Sequence, residues 1–287
     1  MKKELLTNVT RVTDKEKELI EHIRKFTTTT TSTKPIKYSK KDMEMYFVLP
    51  DPHYPFQNQK LMKKVHQCIL DNNPIAGVCI SGDWLDLFTL GSYNANSLGL
   101  LRDISLDEEY ESGLKGIEEL ERVLPEYARR MFLYGNHEDR YFRELNKRDN
   151  AKYGRMLQHP TEALKLEELG YEVKTNWKDD YFTIGDLDIT HGVYFNIHCA
   201  KKHLEMHGNN IMFGHTHRIQ THYTGNGAGY NIGTLCDLTS NAFGYMPRMT
   251  REQWSNGFAV VTVYNGKSYV ETIPVRNNQF IFRNRVY

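Results

Sequence analysis

Several common features are scarce in this 287-residue chain, and each absence narrows its class. Four scattered cysteines form no CxxC pair, which argues against a disulfide framework or a zinc knuckle and favours reduced thiols. The 37 basic and 36 acidic residues nearly balance, so overall basicity does not indicate a nucleic-acid-binding protein. No apolar run approaches the length needed to cross a bilayer.

The N-terminal segment differs in composition and in apolar periodicity from the rest of the chain. Its first residues, MKKELLTNVTRV, contain no apolar core of a secretion signal, so we expect a soluble cytoplasmic protein. Apolar residues at helical spacing follow Thr13, and the Thr-rich stretch 27–34 has no apolar periodicity. We predict a helix and linker over residues 1–34 and a main domain over residues 35–287. The helix either docks on the core or a partner, or forms a loosely attached arm.

From Met45 onward, short apolar runs alternate with segments of helical periodicity. The order strand, helix, strand, helix, strand predicts an α/β core. The segments from residue 181 to residue 275 are strand-rich and indicate a second sheet. We therefore expect an α/β sandwich of two sheets and not a doubly wound fold.

Polar side chains follow five of the predicted strands, directly where each strand ends. They are Asp51 and His53 in DPH, Asp83 and Asp86 in GDWLD, Asn136 and His137 in GNHE, His191 in THG, and His215 and His217 in GHTH. Any one of these could cap a helix, complete a turn or face solvent. Ligand sites in open α/β sheets lie beyond the carboxyl ends of strands, so five such ends in succession favour one common site.

The chemistry of these residues is that of metal ligands. Carboxylate, amide oxygen and neutral imidazole suit Mn²⁺, Fe and Zn²⁺. The set is too large for one tetrahedral ion but fits two ions that share a carboxylate, an arrangement that promotes displacement at phosphorus. No GxSxG motif offers a serine nucleophile, which agrees with this interpretation.

The motif order DxH, GDxxD, GNHE, HG and GHTH, spread between Tyr46 and Val275, resembles the calcineurin-like metallophosphoesterase superfamily. The resemblance implies a four-layered α/β/β/α sandwich with two divalent ions, for which we favour Mn²⁺ over Fe, Zn²⁺ or Mg²⁺. It assigns Asp51, His53 and His217 to the first ion, Asn136, His191 and His215 to the second, and Asp83 to both.

The resemblance also assigns two residues that are not ligands. His137 corresponds to the catalytic histidine near the leaving oxygen, and Asp86 would orient its imidazole. Leu87 departs from the pattern, because the protein serine/threonine phosphatases of this superfamily have a phosphate-binding arginine at that position.

Two other arginines could supply the missing positive charge. Arg140 follows GNHED and Arg218 follows GHTH, and either could bind the phosphate through its planar guanidinium. The alternative is that they cover the outer wall of the site or pair with Glu138 or Asp139.

These features predict a phosphoesterase in which a metal-bridging hydroxide attacks phosphorus. The missing arginine and the basic stretches 140–155 and 276–287 favour diesters, in nucleic acid or nucleotides, and hence a nuclease or phosphodiesterase. The alternatives are a phosphomonoesterase acting on nucleotides, phosphoproteins or metabolites, and a non-catalytic metal-binding scaffold. We expect the long connection over residues 87–115 to form a lid or substrate wall. The sequence leaves the native metal and the oligomeric state open.

Overall fold

A computed structural model describes residues 43–91, 104–147 and 157–287. The predicted N-terminal helix and linker lie outside these ranges, as do residues 92–103 of the long connection. Both therefore stay predictions. All described residues belong to a single unit that spans residues 41–287.

The first sheet has six strands in the order β11-β10-β1-β2-β3-β4. They are β1 (Met43–Leu49), β2 (Gly77–Ile80), β3 (Arg129–Leu133), β4 (Glu172–Lys174), β10 (Gly257–Tyr264) and β11 (Lys267–Pro274). Strands β1 to β4 run parallel, and β10 and β11 add an antiparallel pair beside β1. Parallel β1, β2 and β3 bring their carboxyl ends to one edge of the sheet.

The second sheet has five strands in the order β5-β6-β7-β9-β8. They are β5 (Phe182–Ile184), β6 (Leu187–Ile189), β7 (Asn210–Phe213), β8 (Ile219–Thr224) and β9 (Gly227–Ile232). Its parallel strands β6 and β7 also end side by side. A separate hairpin near the C-terminus joins β12 (Ile281–Phe282) to β13 (Arg285–Val286).

Six α-helices occur in the described ranges. They are α1 (Gln59–Asp71), α2 (Leu106–Glu121), α3 (Asp139–Leu145), α4 (Pro160–Ala163), α5 (Cys199–His207) and α6 (Arg248–Arg251). Local sequence explains where the longest begin: Asn58 caps α1, and Ser105 forms a capping box with Glu108 at the start of α2. Within these ranges no helix is long and apolar enough to span a membrane.

Three hydrophobic cores separate four layers. The alternation of β1 places Phe47 and Leu49 in the core shared with α1 and α2, whereas Val48 lies in the core between the two sheets. The outer face of the second sheet buries Phe213 against Cys199 and its neighbour in α5. The order helices, sheet, sheet, helix confirms the predicted α/β/β/α sandwich.

The segment PTEALKLEELG, residues 160–170, is rich in helix-forming residues, but the structure does not make it one continuous helix. Helix α4 ends at Ala163, and Lys165 has a left-handed φ of 54°. Leu164 and Leu166 are both completely buried in the same core. Positions two apart point to different sides of a helix, so both leucines reach the core only where the helix is broken.

Candidate metal centre

The loops that carry the predicted ligands turn through unusual backbone conformations. Five of the seven ligand residues have a left-handed φ: Asp51 (46°), His53 (55°), Asp83 (50°), His215 (62°) and His217 (57°). Such conformations are uncommon outside glycine, asparagine and aspartate, and they cluster at functional sites. Backbone bonds between the loops hold them, including His53 N–H to Asp83 O at 3.0 Å.

The two histidines of GHTH do not lie on the strand itself. Strand β7 ends at Phe213, and both histidines follow in left-handed conformations, so strand alternation does not explain their direction. The turn nevertheless directs the two side chains to different parts of the site. His215 approaches His191, and His217 approaches His53.

The first cluster of ligand atoms gathers at His53. Its Nε2 lies 3.0 Å from Nε2 of His217 and 3.7 Å from Oδ2 of Asp83. Asp51 Oδ2 lies 3.6 Å from the same His217 nitrogen. These are the four side chains that the sequence resemblance assigns to one ion.

The second cluster gathers at His191. Its Nε2 lies 3.0 Å from Oδ1 of Asn136, 3.2 Å from Nδ1 of His215 and 3.5 Å from Oδ2 of Asp83. The Asp83 oxygen therefore faces both clusters, as expected for a carboxylate shared between two ions.

The protonation pattern of these side chains fits two cations. Nδ1–H of His53 donates to Asp86 Oδ2, and Nδ1–H of His191 donates to the Ser81 carbonyl, each at 3.0 Å. Each histidine thus keeps a lone pair on the Nε2 that faces its cluster. Both Asp51 oxygens are buried and have no hydrogen-bond partner within the described ranges. Buried oxygen atoms without a hydrogen-bond partner can donate an electron pair to a divalent ion, and such an ion needs ligands of this kind.

Burial favours the neutral form of three ligand histidines, His191, His215 and His217, as metal ligation requires. Burial lowers the pKa of His215 to about 3 and holds the pKa of His217 well below its usual range. Burial and the nearby Asp83 raise the pKa of Asp51. Burial would also raise the pKa of Asp83, but the surrounding histidines, His191 foremost, lower it overall.

The glycine of GNHE leaves room for the shared carboxylate. A Cβ on Gly135 would lie 2.0 Å from Asp83 Oδ1 and 2.5 Å from the Asp83 backbone nitrogen. We expect Gly135→Ala to displace Asp83, to cost about 3 kcal/mol of folding stability and to weaken metal binding. Gly225→Ala is the matched control, since a Cβ there would meet nothing within 4 Å. Thermal unfolding with and without Mn²⁺ tests this, and equal melting temperatures for the two variants would contradict it.

His137 lies beside the first cluster and is held by two residues. Its Nδ1–H donates to the Asp86 backbone carbonyl at 2.7 Å, and its Nε2 lies 3.1 Å from an Arg140 nitrogen and 3.9 Å from Asp83 Oδ2. The Asp86 carboxylate is closer to His53, at 3.0 Å, than to His137, at 3.4 Å. Asp86 therefore orients His137 through its main chain and His53 through its side chain. Asp86 with His53 and His137 also forms a group compact enough for a cation, but hydrogen bonds already account for it.

The two candidate arginines have different surroundings. Arg140 is only 7% exposed, and it donates to the Asp86 carbonyl at 2.9 Å, so it pairs with neither Glu138 nor Asp139. Arg218 points towards the carbonyl oxygens of Phe195 and Asn196, at 3.5 and 3.3 Å. Arg140 thus lies at the centre, whereas Arg218 braces the loop that follows His191.

The basic stretches are largely engaged within the fold. Arg143 pairs with Asp139, and Arg285 of the C-terminal hairpin pairs with Asp71 at the end of α1. Arg283 donates to Asn72. These contacts favour the structural interpretation of both stretches over a surface that follows nucleic-acid phosphates. Residues 148–156 lie outside the described ranges.

Sequence reasoning missed Glu138 as an organising residue. The side chain is completely buried and accepts three backbone N–H groups, from Asp83 at 3.0 Å, Leu85 at 2.8 Å and Gly135 at 2.8 Å. It thereby fastens the GDxxD loop to the GNHE loop. An acidic residue that directly follows a candidate ligand motif was the available signal.

Three aromatic residues around the centre also escaped the sequence reasoning. Trp177 lies 6.0 Å from His191 and 6.1 Å from His215 between ring centres, and Trp254 lies 4.3 Å from His217. Phe243 contacts His53 at 5.5 Å. By contrast, Trp84, Phe88 and Tyr54, which lie in or near the GDxxD and DxH motifs in the sequence, are buried in the core.

His203 of α5 holds the loop that follows His191. Its Nε2 accepts from the N–H groups of Val193 at 3.0 Å and Tyr194 at 3.3 Å, and its Nδ1–H donates to the Cys199 carbonyl at 2.8 Å. This pattern requires a neutral ring, and burial lowers the pKa of His203 to about 4.

A pH-dependent loss of stability follows from His203. The folded pKa lies below the unfolded value of about 6.5, so the unfolded state takes up the proton first as the pH falls. The associated stability is complete above about pH 6.5 and is lost towards pH 4. We expect the drop between pH 7 and pH 5 to be about 2 kcal/mol larger in wild type than in His203→Gln. Urea unfolding of metal-stripped protein measures this, and equal drops would contradict it.

Comparison with known proteins by sequence does not assign the chain to a family. No family model matches it, and no curated protein matches it. Solved structures with a similar fold include vacuolar protein sorting 29 from Cryptosporidium parvum, which is 11% identical, with 85% of this chain and 96% of that chain covered and a TM-score of 0.42. A predicted phosphoesterase from Streptococcus pneumoniae is 13% identical over 85% and 96% of the two chains, with a TM-score of 0.36.

A third similar structure is Vps29 from Entamoeba histolytica in complex with Zn²⁺, 13% identical over 85% of this chain and 96% of that chain, with a TM-score of 0.38. Similarities this distant leave the function to be argued from the site itself. The motif order, the four layers and the two ligand clusters that meet at Asp83 give this chain the fold of the calcineurin-like metallophosphoesterases.

Proposed function

We propose that this protein is a dimetal phosphoesterase that hydrolyses phosphate esters, diesters in preference to monoesters, and that nucleotides, more than long nucleic-acid strands, are its substrate class. The observation that carries the proposal is the position of Asp83, whose Oδ2 lies 3.7 Å from His53 Nε2 and 3.5 Å from His191 Nε2. One shared carboxylate between two sets of neutral donors is what a pair of adjacent divalent ions requires.

The chain's own residues have distinct roles in this proposal. Seven side chains would hold the ions: Asp51, His53 and His217 on one side, Asn136, His191 and His215 on the other, and Asp83 between them. Bound divalent ions would supply Lewis acidity and an activated water for attack on phosphorus, and Mn²⁺ suits the mixed oxygen and imidazole set. His137 Nε2 accepts from Arg140 in this structure. The imidazole would stabilise the charge that develops on the leaving oxygen once Nε2 carries a proton and faces the substrate in place of Arg140.

The preference for diesters rests on the cations around the site. A phosphate monoester has one more ionisable oxygen than a diester and benefits from a further positive group. The donors of Arg140 are already directed at Asp86 and His137, and Arg218 faces the carbonyls of Phe195 and Asn196. Leu87 stands where the related protein phosphatases have their arginine. The less charged diester therefore suits this centre better.

Hydrolysis of two model substrates tests the proposal. Metal-stripped protein receives Mn²⁺, and the turnover of bis(p-nitrophenyl) phosphate is compared with that of p-nitrophenyl phosphate, while metal content is measured in parallel. We expect two ions per chain and faster turnover of the diester. Turnover of the monoester alone would establish a phosphomonoesterase. Metal binding without turnover of either substrate, with Mn²⁺, Fe²⁺, Zn²⁺ or Mg²⁺, would establish the scaffold.

A further inference from the structure

A cavity of about 680 Å³ opens beside the first turn of α1. Six of its lining side chains are carboxamides, and we call it the amide pocket: Gln57, Asn58, Gln59, Asn256, Asn277 and Asn278. Its volume falls within the range of about 300–1,000 Å³ that is usual for small-molecule sites.

Three of these amides are fixed by contacts within the protein. Asn58 Nδ2 donates to Asn278 Oδ1 at 2.6 Å, and Asn256 Nδ2 donates to the carbonyls of Thr234 and Cys236 at 3.0 and 2.8 Å. They join two pairs of chain segments, residue 58 with residue 278 and residue 256 with residues 234–236, and so build a preformed wall.

The other three amides carry polar atoms that make no hydrogen bond within the described ranges. Gln57 Oε1 is buried and finds no hydrogen-bond partner in the part of the chain that the structure describes. The side chains of Gln59 and Asn277 also make no hydrogen bond to any described residue. A carboxamide offers a donor and an acceptor side by side, which matches the edge of a nucleobase. A buried acceptor without a partner is costly, so a ligand donor at Gln57 would remove that cost.

The charges and apolar surfaces of the pocket narrow the ligand class. Lys60 and Asp237 are its only charged lining residues among those described, so their charges cancel and no arginine is present to bind phosphate. Pro55 and Phe56 add flat apolar surface against which a ring can pack. The lining thus suits an uncharged, flat, polar group.

The amide pocket adjoins the metal centre. The ring of Phe56 lies 6.1 Å from that of Phe243, and Phe243 lies 5.5 Å from the ring of His53. The Asp237 N–H also donates to the Phe56 carbonyl at 2.8 Å, which ties the two walls together. We propose that the amide pocket binds the nucleoside part of a phosphate ester whose phosphate lies at the metal centre. The link to the ester rests on the proposed function, whereas nucleoside binding itself does not.

Equilibrium binding to metal-stripped full-length protein tests this inference without hydrolysis. Thymidine and adenosine are titrated separately, and binding is followed by calorimetry or by ligand-observed NMR. We expect a millimolar or tighter dissociation constant for at least one of them, since an uncharged fragment of this size binds modestly. Gln57→Leu should weaken it at least about tenfold, the scale of one lost hydrogen bond at a buried acceptor.

Two further variants separate the pocket from its surroundings. Asn277→Gly removes an exposed amide from the rim at a left-handed position (φ 52°) that glycine tolerates, and should also weaken binding without unfolding the protein. Gln253→Leu, at an exposed glutamine outside the pocket, is the matched control and should bind as wild type does. Far-ultraviolet circular dichroism confirms that each variant is folded.

Several results would overturn the inference. These are no binding of either nucleoside, binding that survives both pocket variants, and binding of methyl glucoside in place of the nucleosides. Because the assay contains no metal, its failure leaves the proposed hydrolysis intact. Nucleoside binding by a protein that hydrolyses neither model ester would in turn overturn the proposed function and retain the pocket.

Discussion

Replacing Asp83 by asparagine is expected to reduce phosphodiester hydrolysis by at least about 10³-fold and to lower the bound metal to one ion per chain or fewer. The substitution removes the negative charge that faces both ligand clusters. It keeps the Asp83 Oδ1 position as an acceptor for the His137 N–H, which lies 2.9 Å away. The loop that carries His137 should therefore keep its place.

Comparing the stability of the metal-free variant with its response to Mn²⁺ provides a second test of the role of Asp83. Asp83 and Asp51 are buried together, and their repulsion contributes to the raised pKa of Asp51. The histidines that lower the pKa of Asp83 favour its charge while Asp51 opposes it, so removing the charge should change the stability of the metal-free protein little. The rise in melting temperature on adding Mn²⁺ should nearly disappear, whereas loss of a purely structural residue would lower the stability of the metal-free protein and keep that rise.

Asp107→Asn is the matched control for this experiment, because Asp107 is an exposed aspartate on α2, on a different element from every predicted ligand. It should keep full turnover and the full response to Mn²⁺. If Asp83→Asn also kept two ions and its turnover, the shared-carboxylate interpretation would be wrong.

The sequence predicted the position of the centre because its ligands obey a local rule. Each of Asp51, Asp83 and Asn136 stands within three residues of the end of a parallel strand of the first sheet, and parallel strands share an edge. The layers were also predictable, since the alternation in β1 assigns Phe47 and Val48 to opposite faces.

The backbone conformations that orient the ligands could not be predicted from the sequence patterns that locate the strands. The left-handed conformations of His53 and His217 depend on hydrogen bonds between loops that are distant in the chain, such as His53 N–H to Asp83 O. No local preference of histidine predicts them. The break after α4 has a similar origin, because burial of both Leu164 and Leu166 outweighs the helix propensity of the segment.

The surroundings of the centre were hidden for a further reason. Glu138 contacts residues up to 55 positions away, and Arg140 reaches back 54 positions to Asp86. Such contacts leave no periodicity in the sequence, and a charged residue is normally expected at the surface. Buried, hydrogen-bonded side chains such as Glu138 and Arg140 can be recognised as part of the site only once the positions of the loops are known.

Replacing His137 by alanine separates an enzyme from a metal-binding scaffold. His137 is not among the ligand atoms of either cluster, and its backbone bond to Asp83 survives the change. We expect both ions to remain bound, whereas kcat for a dialkyl or dinucleotide diester falls by about 10²–10³-fold. The control is His198→Ala, at an exposed histidine whose side chain makes no capping bond to α5.

The size of that loss should depend on the leaving group. An alkoxide needs a proton or a nearby positive group as it departs, whereas p-nitrophenolate is stable without one. His137→Ala should therefore impair an alkyl p-nitrophenyl diester little when p-nitrophenolate leaves, and a dialkyl or dinucleotide substrate far more. An equal loss on both would assign His137 to another step. Unchanged turnover of every substrate, with both ions bound, would show that His137 has no role in the reaction. His137 would then no longer distinguish this centre from a metal-binding scaffold.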